Sequence, residues 1–146
     1  MNCNVTVSIS ICIGKRQIRR KRIMDKKELA VEYKHNGHNC CQAVLCAFAD
    51  ELDLSMEELD KMGAGFGVGM GCMEATCGAL CGAQMVLGLK TFKGMPIIRN
   101  AAVLHNEFKG KCGATICKEL KGRDTGVVLC ECDDCVRHAV ELLEEK

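Results

Sequence analysis

Residues 63–88 read GAGFGVGMGCMEATCGALCGAQMVLG. Glycine stands at 63, 65, 67, 69 and 71, then at 78, 82 and 88, with Cys72, Cys77 and Cys81 between them. Dense glycine is costly inside a helix and useful where φ is positive or backbones approach closely, so the first half predicts irregular backbone. The second half predicts a helix from Thr76 to Leu89, with Thr76 as its N-cap. Cys77 and Cys81 then lie one turn apart on one face. Gly78 and Gly82 form a neighbouring stripe of small residues that lets another segment come close. A GxGxG run with no strand before it is not a dinucleotide fingerprint.

Outward from this stretch the chain reads as helical. Asp25 to Lys34 fits a first helix, with Leu29, Ala30 and Tyr33 on one side. The His35-Asn36-Gly37-His38 turn predicts solvent-exposed histidines. Asn39 caps a second helix reaching about Leu52, with Cys41, Leu45, Phe48 and Leu52 at helical spacing. Ser55 and Glu58 form a capping box that opens a third. Ile97 to Lys109 predicts a further helix, broken by Gly110 and Gly113 and carrying His105 among core residues. Thr115 to Leu120 predicts a short one. Asp133 and Asp134 suit the first turn of a last helix, on which Cys132, Cys135, Val136, Ala139, Leu142 and Leu143 share a face. The fold expected is all-α, a single bundle of about five or six short helices.

Composition narrows the class. The chain has 146 residues, a formal net charge of +1 and no Trp, which fits one domain of residues 24–146 and gives no general pull toward nucleic acid. No apolar run is long enough to span a membrane. Residues 1–23 differ from the rest: a weakly alternating apolar run precedes the basic run 15–22. That order is the reverse of a secretory signal. The expectation is a non-core basic arm, or a start at Met24, since Arg19-Arg20 is how an AGG-AGG ribosome-binding sequence reads when translated. Thirteen cysteines is an odd number, so full intramolecular pairing is impossible. Reduced or metal-bound cysteines in the cytoplasm are expected.

The cysteines divide by position. Cys41 and Cys46, on or near an apolar stripe, read as small core hydrophobes. Cys130-Glu-Cys132-Asp-Asp-Cys135 offers close-spaced metal ligands, but a second CxxC and the usual ferredoxin spacings are missing. His138, near Cys135, is placed to lower a thiol pKa.

Cys77-Gly78-Ala79-Leu80-Cys81-Gly82 resembles the CGAxxG motif of the C_GCAxxG_C_C family of redox-active proteins. Asn39-Cys40-Cys41-Gln42, Cys117-Lys118-Glu119-Leu120, and Cys135 ahead of Val136 are similar to its other three cysteine segments. The resemblance runs from about Asp25 to the end. It implies a redox site made of Cys40, Cys77, Cys117 and Cys135 from four separate segments, acting with a redox partner protein. Two chemistries stay open: paired thiols cycling with a disulfide, or the same four residues holding an iron–sulfur cluster, with zinc a lesser alternative. Cys72, Cys81 and Cys132 are the additional ligands expected, and Gly78 and Gly82 the points of close backbone approach. Cys77, placed in the first turn of its helix, is expected to carry a depressed pKa and to be the most reactive thiol.

Overall fold

The computed structural model describes residues 24–146; the arm assigned to residues 1–23, with Cys3 and Cys12, lies outside the described residues. Local capping signals set several of the helix starts. Helix α1 (Lys26–His35) begins at Asp25, whose carboxylate accepts from the Lys27 N–H at 3.1 Å. Helix α2 (Cys40–Ala47) starts at Asn39 in a reciprocal box with Gln42, and α3 (Met56–Gly63) starts at Ser55 in the same arrangement with Glu58. Each box satisfies orphan N–H groups at both of its ends.

The remaining elements are α4 (Gly67–Met70), α5 (Gly78–Thr91), α6 (Ile98–Cys112), α7 (Cys117–Leu120) and α8 (Cys132–Glu144). The all-α expectation holds. The described residues form six helices of two turns or more and two single turns, α4 and α7.

Helix α2 is the centre. Cys41, Ala43, Val44, Leu45, Cys46 and Ala47 are all buried. A helix that is apolar all round needs partners on every side, and α1, α3, α5 and α8 pack around it. Helix α8 is amphipathic instead. It buries Cys135, Val136, Ala139, Val140, Leu142 and Leu143 and packs on α1, α2, α5 and α6. Arg137 of α8 clasps the Glu28 carboxylate of α1 through two N–H groups, at 2.8 and 3.2 Å.

The α2–α5 crossing depends on Gly82. A Cβ built there would stand 2.7 Å from the Cys41 carbonyl oxygen and 3.1 Å from the Val44 Cβ. No side chain fits without moving one helix away from the other.

Three boundaries differ from the sequence reading for reasons visible in the backbone. Helix α2 stops at Ala47, because Phe48 turns out of the helix at φ −101°, ψ 9°. Helix α6 runs through Gly110 to Cys112, and the left-handed Gly113 (φ 90°) ends it. Gly110 is exposed and its φ is ordinary, so helical geometry holds through it. Helix α5 begins at Gly78, with Cys77 rather than Thr76 at the cap. Thr76 is drawn into an isolated antiparallel bridge with Ile116, which takes its backbone out of capping geometry.

Candidate functional site

Four local devices bring thiols to one place. The Thr76–Ile116 bridge is the first: the Cys77 N–H donates to the Thr115 carbonyl at 2.8 Å, and the Cys117 N–H to the Ala75 carbonyl at 3.0 Å. Two segments far apart in sequence are thereby fixed side by side, with Cys77 and Cys117 just beyond the bridge. The second is Asn39. Its side chain caps α2 and also donates to the Gly63 and Ala64 carbonyls at 3.0 and 3.2 Å, which ties the start of α2, and so Cys40, to the glycine-rich segment.

The third device is Gly78. A Cβ there would collide with the Cys40 sulfur and come within 2.7 Å of the Phe66 carbonyl oxygen, so Cys40 reaches Cys77 only across a residue with no side chain. The fourth is the left-handed turn at α4. Val68, Gly69 and Met70 take φ of 54°, 56° and 59°. Positive φ is strained for a β-branched residue. The turn lays Gly69 against Cys117, where a Cβ would stand 2.7 Å from that of the cysteine. It also brings the Val68 backbone beside Cys40, where it offsets part of the rise that burial gives that thiol. The irregular backbone read from the glycines is thus a turn of defined hand.

The result is a cavity of about 270 Å³ lined by Cys40, Cys77, Cys117, Cys130, Cys132 and Cys135. Lys34, His38 and Lys121 also reach it. Of the three additional ligands expected, Cys132 lines the cavity. Cys72 is exposed, 3.5 Å from the Gly69 carbonyl, and Cys81 turns to the Thr76 carbonyl at 3.8 Å. Cys72 and Cys81 are not among the lining residues. Cys41 and Cys46 are buried in the core, the place their apolar stripe assigns them.

The Cys77 and Cys135 thiols lie beside one another at the cavity, and Cys112 lies beside Cys135. The Cys135 sulfur also lies 3.8 Å from the Cys130 carbonyl oxygen.

The electrostatics oppose the sequence reading of Cys77. The neighbouring Cys135 thiol and burial push its pKa well above the ordinary cysteine value, and the first-turn N–H groups of Ala79 and Leu80 only partly counter this. Position at a helix start favours a thiolate, but only 6 % of the residue is exposed, and desolvation of an anion is the larger effect here. Burial pushes Cys117 up to about 11 against the pull of Lys121, and burial raises Cys40 as well. Lys121 is held above its ordinary value chiefly by the neighbouring Cys132 thiol. This lysine lies four residues after Cys117, one turn along, a spacing visible in the sequence.

Of the two turn histidines, one differs from the reading and one does not. His38 is half-buried, with Nδ1 3.1 Å from the Tyr33 carbonyl and Nε2 3.2 Å from the Asp60 carboxylate, so packing against α3 overrides the exposed turn. His35 is exposed and pairs with Asp133 at 2.8 Å.

Fold and cavity together define a helical protein organised around clustered thiols. Residues 38–146 match the family model described as "Putative redox-active protein (C_GCAxxG_C_C)", and the chain belongs to that family. No curated protein and no solved structure matches it. Among the described residues no helix is long and apolar enough to cross a membrane.

Proposed function

We propose that this chain is a redox protein working through Cys40, Cys77, Cys117 and Cys135, with a redox partner protein as its source or sink of electrons in a reducing compartment such as the cytoplasm. The observation that carries the reading is the single cavity onto which these four thiols open from four segments, beside Lys121. Cys77 and Cys135, both lining the cavity and neighbours there, are the dithiol that closes to a disulfide. In the exchange, a thiolate of the set attacks one sulfur of the partner's disulfide and the partner's other sulfur leaves as a thiolate. A second thiol of the set gives its proton to solvent and attacks the mixed disulfide. The partner gains two electrons and two protons as a dithiol, and this chain holds the new disulfide. Lys121 supplies positive charge next to the thiolate that forms. The test is equilibration of the anaerobic protein with a buffered thiol–disulfide couple, read by peptide mass spectrometry. A reversible Cys77–Cys135 link is the expected result, and thiols that stay inert in the folded state overturn the proposal.

A second reading is a metal or iron–sulfur carrier held by the same four residues. It is favoured by the crowding of thiols that raise one another: Cys77 and Cys132 add to the rise of Cys40, and Cys77, Cys40 and Cys132 to that of Cys117. A bound cation would offset this repulsion and hold all of them as thiolates. A cluster would supply one-electron chemistry. Visible charge-transfer absorption of anaerobically purified protein supports this reading, and a colourless protein with titrating thiols supports the first.

A further inference from the structure

Behind the cavity, where α6, the loop before α8 and α8 meet, lies a second group of ligand atoms. The Cys112 and Cys130 sulfurs and a ring nitrogen of His138 are all within 4.8 Å of one another. Cys112 closes α6, Cys130 precedes α8 and His138 sits on α8, so three elements converge. Cys112 and His138 are not among the residues lining the thiol cavity; Cys130 touches both places.

Core packing accounts for Cys112, which is 2 % exposed, but not for an imidazole turned toward two sulfurs. The surroundings of His138 add an independent observation. Its Nδ1 lies 3.4 Å from the Glu141 carboxylate, and that carboxylate is held in turn by Lys111 Nζ at 2.9 Å. A carboxylate on one ring nitrogen fixes the orientation of the ring and leaves the other nitrogen for a metal ion. A further thiol is near: the Cys135 sulfur lies 3.8 Å from the Cys130 carbonyl oxygen, and Cys112 is the neighbour that raises its pKa most.

We propose that Cys112, Cys130 and His138, with Cys135 as the fourth ligand, bind a divalent cation of the zinc type. Thiolate and imidazole donors select zinc, cobalt and their neighbours over magnesium and calcium. A tetrahedral thiolate site brings its sulfurs to about 3.8 Å, so the group closes by a small side-chain movement. Cys130, half-buried in the loop before α8, is the residue free to make it. Binding releases the thiol protons to solvent and joins the end of α6 to α8. The site is separate from the cavity but shares Cys135 with it, so metal at Cys112 withdraws Cys135 from exchange with Cys77.

The test uses Co²⁺ alone as the probe on reduced, anaerobic full-length protein. Cys40→Ala/Cys117→Ala removes two cavity thiols and leaves the second site whole. One Co²⁺ per chain with tetrahedral thiolate absorption is expected in that background. His138→Gln added to it should abolish the spectrum, and Glu141→Gln should weaken binding about tenfold. Loss of the spectrum in the folded Cys40→Ala/Cys117→Ala protein, or its survival in His138→Gln, overturns the proposal. Alkylation footprinting of the unmutated chain gives a readout independent of folding defects. Co²⁺ should protect Cys112 and Cys130, and protection confined to Cys40 and Cys117 overturns the assignment while leaving the redox reading of the cavity standing.

Discussion

Cys40 and Cys41 are neighbours in sequence and open the same helix, yet they face different surroundings. Cys40 lines the cavity, with its sulfur over Gly78. Cys41 is fully buried, with its sulfur 4.0 Å from the Met85 sulfur. One step of about 100° around a helix separates a thiol that opens onto the cavity from one packed in the core. The residue type is shared, so the difference lies in what each side chain meets: a glycine and open space, or the flank of α5.

The sharpest way to break this contrast is to fill the gap that Cys40 occupies. Gly78→Ala places a Cβ against the Cys40 sulfur and the Phe66 carbonyl oxygen. It should cost about 3 kcal/mol, the upper part of the usual range for overpacking, and remove exchange at Cys77. Urea melts and disulfide mapping measure the two effects, and a normal melt with intact exchange would show that the close approach is dispensable.

The two cysteines themselves can be exchanged for alanine one at a time. Cys41→Ala should lower stability by roughly 1 kcal/mol, for a lost buried sulfur, and leave exchange unchanged. Cys40→Ala should do the opposite, changing the melt little and impairing exchange. Equal effects of both variants on exchange would erase the distinction drawn between them.

The pH dependence separates buried thiols from ordinary ones. Burial raises Cys81 and Cys117 each to about 11 in the folded chain. Both states are protonated below the ordinary cysteine pKa, so their stabilisation is complete there. Above it the unfolded chain ionises first, and stability falls as pH rises toward about 11. The melting temperature of reduced protein should decline across that window, and a flat profile would mean that these thiols are not desolvated.

The smallest expected change is at Val68. Its φ of 54° suits glycine better than a β-branched residue. Val68→Gly should relieve strain and stabilise by about 0.5 kcal/mol after the added chain entropy of glycine is subtracted. A clear loss of stability in a chemical melt would show that the side chain packs more than its exposure implies.

The all-α fold was legible because its signals are local. Asn39 with Gln42, and Ser55 with Glu58, each act within one turn. The apolar run of α2 and the striped face of α8 act within one helix. The four family cysteines were named from their motifs, and glycine in Cys77-Gly78 already announced a close approach. Thr76 was misread because its partner, Ile116, is forty residues away. Cys112 gave no local signal, standing after Gly110 and Lys111 in what read as the end of a helix.

Helix starts, apolar faces and the motif cysteines can be read from the chain without its fold. Each of these depends on residues within a few positions of one another. The tertiary structure alone decided that Cys132 lines the cavity while Cys72 and Cys81 do not, that Lys121 stands beside the thiols, and that Cys112, Cys130 and His138 meet. It also decided the proton on Cys77. A helix start lowers a thiol pKa through groups one turn away, whereas burial and Cys135 raise it through groups brought from the far end of the chain. Desolvation depends on everything packed around the sulfur, and no spacing along the chain records that.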